Sequence, residues 1–385
     1  MSTLKKSICA SSALAAALLC APMYAATNFV RTDLIADSAA TSSTATVMDP
    51  NLVGTWGISV SSGSPFWVSN AANGTSSVYT VSDATPATLT APVVSTTLVT
   101  VPPSTNNKAS KTGIPTGQVV NGYGVGNLDV VPANGTTAAV GSNFIFATLD
   151  GTIAARMGAT CVIMVDNGAK GAVYTGLALG VSNVGVTLYA ANFSQGTIDA
   201  FDKNWKPVTM TGGFQDPDLP GNFYPSNIQR YGRRLYVAYN LSDGSGTYAY
   251  GGPGTGLIDV FDLNGNLLQR LVPNNAWMNL PWGLAVTGAN FGSFSYALVV
   301  GNFGDGTISA FDLHTGNYLG TMQDGKGNNI SISGLWGLQW GNGGSGGSAS
   351  TLYYAASPGA GPSGYSQHGL FGSLKPGPDA ASTLQ

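Results

Sequence analysis

The sequence contains no glutamate, only two histidines and only three cysteines. All 18 acidic side chains are therefore aspartates, and the imidazoles are limited to His314 and His368. Acid–base and nucleophilic catalysis rely heavily on Glu, His and Cys, so few side chains here suit such chemistry. Charged residues make up only 9% of the chain, the formal net charge is −3, and no basic cluster is present to hold phosphates. This composition argues against a nucleic acid partner.

The N-terminal segment has the pattern of a secretory signal peptide. Lys5 and Lys6 precede an apolar run over residues 8–19, and the small residues Ala25 and Ala26 follow. The run is too short to span a bilayer, and no later stretch is long and apolar enough to do so. We therefore expect residues 1–26 to be removed and the product to be exported to the periplasm or outside the cell. Lipidation at Cys20 is the alternative, which the bulky Leu19 before it disfavours.

The predicted mature chain retains one cysteine, Cys161, in the apolar stretch ATCVIMVD. A lone thiol cannot form an intrachain disulfide, so packing alone must stabilise the exported protein. The apolar neighbours predict a buried, unreactive thiol rather than a nucleophile.

Gly accounts for 53 residues, and short runs of β-branched and aromatic residues lie between Gly, Asn, Asp and Pro. This pattern is typical of many short strands joined by tight turns. Three phrases recur in fixed order, and each has six members. Examples of the first phrase are GTWGISV (54–60) and PWGLAVT (281–287). Examples of the second phrase are FWVSN (66–70) and ALVVGN (297–302). Examples of the third phrase are GTIDAFD (196–202) and GTISAFD (306–312).

The repeats predict an all-β fold, a six-bladed β-propeller with four-stranded blades, over residues 27–376. Seven blades is the alternative, because the irregular segment 101–123 has room for extra structure. Residues 377–385 are expected to form a flexible tail. The last unit lacks an outer strand, whereas NFVRTDLIAD (28–37) precedes the first unit without belonging to it. We therefore predict that this N-terminal strand completes the last blade and closes the ring.

Polar residues end the second phrase of successive units, and the ring would bring them towards one face. This set comprises Asn70, Asp150, Asn192, Asn240 and Asn302. Their recurrence favours a structural role in each blade, because a site is usually asymmetric. The alternative is an oxygen-rich ring that binds Ca²⁺, which takes six to eight oxygen ligands. Such a ring would resemble the central site of calcium-dependent lactonases and gluconolactonases, although those sites include a glutamate.

Two further features could serve binding. The Trp-Gly pairs beginning at Trp56, Trp282 and Trp336 open the predicted innermost strands, where they either pack between blades or form aromatic platforms at the channel mouth. Long loops interrupt the repeat at 215–227, 240–256 and 357–369, and the last two carry Tyr248, Tyr250 and His368. Loops on a rigid ring are the usual place for specificity.

Several stretches resemble a family of exported bacterial proteins with NHL-like β-propellers. They include DPNLVGTWGISV (49–60), YAANFSQGTIDAFD (189–202), GLIDVFDLNGNLLQRL (256–271) and GLWGLQWGNG (334–343). The resemblance covers nearly all of the predicted mature chain. It implies the six-bladed fold and export, but no reaction, so it assigns no catalytic residue.

The sequence thus favours a monomeric binding module for a neutral small molecule, glycan or protein ligand, such as a saccharide, peptide or surface polymer. A calcium-dependent propeller hydrolase resembling the lactonases is the alternative. Sequence alone leaves catalysis open. No cofactor is indicated beyond that calcium ion.

Overall fold

The backbone runs almost entirely as short strands linked by turns. The structure is a computed structural model that describes residues 28–82, 91–130, 140–246, 249–361 and 364–377. The first half of the chain forms β1 (Phe29–Ala36), β2 (Val47–Met48), β3 (Thr55–Ser59), β4 (Phe66–Asn70), β5 (Thr75–Thr80), β6 (Val93–Val94), β7 (Val99–Thr100), β8 (Pro115–Val120), β9 (Asp129–Val130), β10 (Val140–Gly141), β11 (Phe144–Thr148), β12 (Thr152–Met157), β13 (Thr160–Asp166) and β14 (Tyr174–Ser182).

The second half continues in the same way, and single 3₁₀ turns lie at Gly168–Lys170, Phe193–Gln195 and Gly292–Phe294. Its strands are β15 (Gly185–Asn192), β16 (Thr197–Asp202), β17 (Phe223–Tyr231), β18 (Arg234–Leu241), β19 (Gly256–Asp262), β20 (Leu267–Val272), β21 (Pro281–Val286), β22 (Ala297–Asn302), β23 (Ile308–Asp312), β24 (Tyr318–Thr321), β25 (Leu335–Trp340), β26 (Leu352–Ala356) and β27 (Leu370–Pro376). The predicted signal peptide and residues 378–385 of the predicted tail lie outside the described residues.

The strands form a ring of sheets, which makes the fold an all-β propeller. The strand built from the first repeated phrase lies innermost in five of the six sequence repeats. In the second repeat the inner strand is β8, and the described part of the predicted phrase GNLDVVP (126–132) instead forms β9, which pairs with β10. These inner strands contact one another in the order β3, β8, β14, β17, β21 and β25, and β25 contacts β3 again. The glycines of the Trp-Gly pairs allow this close approach: a Cβ on Gly57 would lie 2.4 Å from the Thr116 carbonyl oxygen, and one on Gly283 would lie 2.6 Å from the Trp336 carbonyl oxygen.

The sheets are less regular than the repeats predict. Strands β17–β20 and β21–β24 form four-stranded antiparallel sheets, whereas β14–β15–β16 has three strands. Strands β3–β8 and β11–β13 join into one larger sheet, because β7 pairs with both β5 and β13, whereas β9 and β10 form a separate two-stranded sheet. The three-stranded sheet arises because the chain after β16 forms only a single bridge back to it, from Pro207 to Phe201, before it leaves the sheet.

The N-terminal strand closes the ring, as its position in the sequence predicts. β1 pairs antiparallel with β27 from Phe29 opposite Pro376 to Ala36 opposite Leu370. Phe29 is buried against Phe291 and Phe294, with ring centroids 5.0 and 5.5 Å away. Leu34 is fully buried as well.

A buried polar cluster fixes the register of this closing strand. The Asp33 carboxylate accepts hydrogen bonds from Arg31 Nε at 2.8 Å, from Ser42 Oγ at 2.6 Å and from the Tyr354 hydroxyl on β26. Burial acts to raise the pKa of Asp33, but these hydrogen bonds outweigh it and lower the pKa below its ordinary value. The ionised carboxylate therefore links the first strand of the chain to the last sheet.

Cys161 lies on β13 and is buried, in agreement with the predicted unreactive thiol. Burial raises its pKa to about 12. Because the thiolate is the reactive species, the thiol is inert at neutral pH.

Deleting residues 28–37 should lower the melting temperature by at least about 10 °C, because several buried apolar side chains and the last ladder of the ring are lost. Leu34→Ala alone should cost about 2–5 kcal/mol of unfolding free energy. The matched control is Val30→Ala on the same strand, where the side chain is 47% exposed. Thermal denaturation of the variants measures both effects, and a deletion that leaves the melting temperature unchanged contradicts closure by β1.

Candidate functional site

Three of the four strand-end asparagines turn into their own sheets rather than towards the ring axis. Asn70, Asn192 and Asn302 are each at most 1% exposed. Asn70 Nδ2 donates to Ser77 Oγ at 2.8 Å, and Asn302 Nδ2 donates to Thr307 Oγ1 at 3.1 Å. These bonds join the end of one strand to the start of the next, which explains why the asparagine recurs in the repeat. Ligand binding by this set stays a prediction.

Backbone amides also engage two of the asparagine oxygens. Val173 N–H donates to Asn192 Oδ1 at 3.2 Å, and Asn279 N–H donates to Asn302 Oδ1 at 3.0 Å. Oxygens that already accept from the backbone are poorly placed to surround a cation. Within the described ranges, no group of three or more His, Cys, Asp or Glu side chains is placed to hold a metal ion. Calcium binding thus rests on the sequence pattern alone.

Asp150 and Asn240 have different surroundings. Asp150 Oδ2 accepts from the Ser104 backbone N–H at 2.6 Å, while its Oδ1 is buried without a partner in the described part of the chain. In the orientation that satisfies its amide, Asn240 donates to the Tyr239 and Pro281 carbonyl oxygens at 3.1 and 3.0 Å. Of the five strand-end residues, Asn240 alone lines the axial cavity described below.

Two of the three loop candidates, Tyr250 and His368, lie in the described part of the chain, and neither lines the axial cavity described below. Tyr248 lies outside the described residues, and Tyr250 is 57% exposed. His368 Nδ1 lies 3.1 Å from Asp37 Oδ2 and 3.1 Å from Thr41 Oγ1, so it pairs with the end of β1. Burial acts to raise the pKa of Asp37, but hydrogen bonds from Thr41, Gly369 and His368 outweigh it and lower the pKa. The interactions of His368 fit a structural contact at the ring closure.

A cavity of about 130 Å³ lies on the ring axis and receives residues from every part of the ring. Among the residues that the structure describes, no charged side chain lines it. Its walls are Trp56, Leu149, Val173, Thr175, Phe193, Ser226, Asn240, Ala249, Leu280, Trp282, Phe303, Trp336, Gly361 and Gly364. We call this space the axial cavity.

The three tryptophans of the Trp-Gly pairs meet at the axial cavity. Trp56 stacks on Trp336 with ring centroids 3.9 Å apart, and Phe303 stacks on Trp336 at 4.1 Å. Trp282 meets Trp336 edge to face at 5.8 Å. The two alternatives for the Trp-Gly pairs, packing and an aromatic platform, therefore coincide, because the same rings pack together and form the wall.

Only one of these three indoles has a hydrogen-bond partner among the described residues. Trp336 Nε1 donates to the Gly364 carbonyl oxygen at 2.8 Å. Trp56 and Trp282 are 3% and 5% exposed, and their Nε1 atoms are closed off from solvent without a partner among the residues that the structure describes. A buried donor left unpaired costs about 1–3 kcal/mol. Buried indole N–H groups normally have partners, so two unpaired donors beside one cavity are unusual.

Phe193 and Phe303 are wall residues that the sequence reasoning missed. Each follows a strand-end asparagine in the repeated phrase, in NFSQGT and NFGDGT. The asparagine faces its own sheet, whereas the phenylalanine after it lines the axial cavity. The repeated Asn-Phe pair was the signal that could have identified them.

The most strongly perturbed carboxylate lies away from this cavity. Asp259 on β19 is fully buried and accepts from Arg270 Nε at 3.3 Å, while Arg270 also pairs with Asp216. Burial and the neighbouring Asp216 raise the pKa of Asp259 to about 7. Perturbed carboxylates often mark active sites. Asp259 does not line the axial cavity. It pairs with Arg270 on β20, and the same guanidinium also holds the 216–218 segment by donating to the Asp218 carbonyl oxygen.

Comparisons with known proteins give relatives but no assigned function. No protein-family model matches the chain. An uncharacterised protein of Acanthamoeba polyphaga mimivirus is 29% identical over 248 residues, which is 59% of this chain and 46% of the viral protein. A second protein of that virus is 37% identical over 172 residues, or 43% and 44% of the two chains. The chain thus spans about half the length of these two relatives.

Solved structures with a similar trace are propellers of several kinds. Virginiamycin B lyase from Staphylococcus aureus aligns with a TM-score of 0.47 and 10% identity, covering 90% of this chain and 99% of the lyase. The WD40 propeller domain of Doa1 aligns with a TM-score of 0.43 and 10% identity, covering 83% and 92%. Because both scores are below 0.5, the fold assignment rests on the sheets and ring described above. No helix within the described ranges is long and apolar enough to cross a membrane.

Stability should depend on pH through Asp259. Its folded-state pKa of about 7 lies above the ordinary 3.8, so protonation favours the folded protein. The stabilisation is complete below about pH 4 and is lost as pH rises through 7. Between pH 8 and pH 5.5 the unfolding free energy should therefore rise by on the order of 2 kcal/mol.

Urea denaturation across this pH range measures the effect. Asp259→Asn should flatten the profile, while Asp218→Asn, which changes an exposed carboxylate of the segment held by Arg270, should leave it unchanged. An identical pH profile for wild type and Asp259→Asn would show that Asp259 does not titrate near neutrality.

Proposed function

We propose that this chain is an exported six-bladed β-propeller whose axial cavity binds a ring-sized, uncharged group of a neutral ligand. The observation that carries the binding proposal is the wall of the cavity, which is rich in indole and phenyl rings and whose described residues include no charged side chain. Ligand sites in proteins are commonly apolar clefts with a few polar groups that fix orientation. Here Thr175, Ser226 and Asn240 are the polar side chains of the wall.

The size of the cavity limits its occupant. A cavity of about 150 Å³ holds a benzene molecule. The axial cavity, at about 130 Å³, is therefore suited to one sugar or aromatic ring, or to one side chain of a peptide. A larger ligand would insert such a group and extend over the loops around the cavity mouth. A saccharide, a peptide and a surface polymer all present groups of this kind.

The Nε1–H groups of Trp56 and Trp282, which have no partner among the described residues, call for a hydrogen-bond acceptor on the ligand. A hydroxyl, ether or carbonyl oxygen on the ligand would pair with Trp56 or Trp282 and remove the cost of the unpaired donor. Because both nitrogen atoms are closed off from solvent, we expect an indole ring to turn slightly when the ligand enters. A cationic or anionic group would lose its hydration without gaining a charged partner.

The blade count and the export are parts of the same proposal. The six inner strands that contact one another in a ring support six blades rather than seven. The basic and apolar start of the chain supports a signal peptide over residues 1–26 and a product outside the cytoplasm. The monomeric state stays a prediction. Membership of the NHL-like family of exported bacterial proteins rests on the quoted sequence stretches.

Binding should depend on the axial tryptophans. Glycan and peptide arrays probed with the predicted mature protein should yield neutral ligands, and Trp282→Phe should weaken their binding about 3- to 10-fold through loss of one donor. Trp56→Phe should act similarly. Trp277→Phe is the matched control, because Trp277 is 48% exposed and stacks on Tyr318 rather than lining the axial cavity.

Two results would contradict the proposal. The first is a set of ligands whose affinity is the same in wild type, Trp56→Phe and Trp282→Phe. The second is no array binding together with turnover of lactone or ester substrates that calcium chelation abolishes, which would support the lactonase-like alternative.

A further inference from the structure

The outer edge of the three-stranded sheet is incomplete. After β16 the chain turns back and begins a fourth strand, in which Asp202 N–H donates to the Lys206 carbonyl oxygen at 2.8 Å and Val208 N–H donates to the Ala200 carbonyl oxygen at 2.9 Å. The chain then leaves the sheet, and residues 209–222 form no strand. The ladder on this edge therefore stops at Ala200.

Ile198 lies two residues before Ala200 on β16 and pairs with Ala191 on β15, but among the described residues it has no partner on the outer edge of the sheet. In an antiparallel strand alternate residues point their backbone groups to the same side, so Ile198 faces the same edge as Ala200 and Asp202. Within the part of the chain that the structure describes, its N–H and C=O have no hydrogen-bond partner on that side. In the neighbouring sheets the equivalent residues are paired: Ile258 with Val272, and the Ile308 carbonyl oxygen with Met322 N–H at 2.9 Å.

A cavity of about 430 Å³ lies against this edge, where the other sheets carry their fourth strand. Its volume falls within the range of about 300–1,000 Å³ usual for ligand sites. Phe201, Met210 and Phe214 are buried and supply apolar wall, while Lys170 and Gln195 supply polar wall. It shares no lining residue with the axial cavity. We call it the edge groove.

We propose that the edge groove binds an extended segment of a partner polypeptide, which continues the fourth strand of this sheet from Val208 along β16. An unpaired strand edge recognises the backbone of an extended peptide, and the pockets beside it select side chains. The occupant is a strand because the same chain places strands β20 and β24 at this position in its neighbouring sheets. The added strand would also continue the hydrogen bonds that Lys206 and Val208 already make to β16.

The walls indicate the character of the peptide. Met210 and Phe214 would contact an apolar side chain. Asp199 is already engaged, because Tyr174 Oη and Asn192 Nδ2 donate to its Oδ2 at 2.7 and 3.1 Å. The edge groove therefore presents the positive Lys170 together with the Asp199 carboxylate, whose oxygens already accept hydrogen bonds. This charge pattern favours an uncharged or mildly acidic peptide with one apolar side chain as its anchor.

The test uses a phage-displayed library of twelve-residue peptides panned on the wild-type protein. Enriched peptides, synthesised with blocked ends, should protect the Ile198 amide from hydrogen exchange at least tenfold at saturation. Ile198→Pro removes the N–H that faces the groove without removing a bond to β15, so it should weaken these peptides at least fivefold. Ile198→Val keeps the N–H and should bind as wild type does.

A second arm acts on the peptide and does not depend on the folding of the proline variant. Methylation of the one peptide nitrogen that pairs with the Ile198 carbonyl oxygen should abolish binding, while methylation of a neighbouring nitrogen should not. Trp282→Phe should leave this binding unchanged, which separates it from a ligand of the axial cavity. The inference is overturned if no peptide is enriched, or if the enriched peptides neither protect Ile198 nor respond to methylation.

Discussion

Closure of the ring by the N-terminal strand is the constraint on which the rest of the structure depends. The cavities and the aromatic wall exist only while the inner strands stay in contact around the axis, and β1 is the element that joins the beginning of the chain to its end. An unpaired β27 would leave a sheet edge open to other chains. The buried Asp33 carboxylate, held by Arg31, Ser42 and Tyr354, adds a specific polar link to this otherwise apolar seam.

The low charge of the chain has consequences for both proposed sites. Without glutamate and with few bases, binding must come from aromatic faces, backbone groups and amides. The axial cavity offers a ligand indole and phenyl rings. The edge groove offers backbone groups of Ile198 that have no partner among the described residues. The occupants that we propose for the two sites differ: a ring-sized group in the axial cavity and an extended strand in the edge groove. A propeller with both could hold a polymer partner while it inserts one group of a second ligand.

Sequence periodicity predicted the parts of this fold that repeat. The first phrase marked the inner strands of five repeats but not β8, and the convergence of Trp56, Trp282 and Trp336 follows from their equivalent positions in that phrase. The sequence also predicted the pairing of β1, because the last repeat lacked an outer strand and one additional strand preceded the first repeat. The direction of the strand-end side chains was harder to predict, since Asn192 and Phe193 are adjacent and only the strand twist and turn decide which one faces the axis. The missing fourth strand beside β16 was equally hidden, because Pro207 and Val208 begin a pairing that the following residues do not continue.

A ligand that enters the axial cavity is expected to pair with the Nε1–H groups of Trp56 and Trp282, which have no partner among the described residues. Nitrogen-15 spectra of the tryptophan side chains, recorded while neutral pyranosides, phenols and lactams are titrated in, test it directly. We expect at least one class of compound to shift the Nε1–H signal of Trp56 or Trp282 downfield as a hydrogen bond forms. The Nε1–H signal of Trp277 should stay in place. Signals of Trp56 and Trp282 that remain fixed with every class, or that move only together with Trp277, would contradict it.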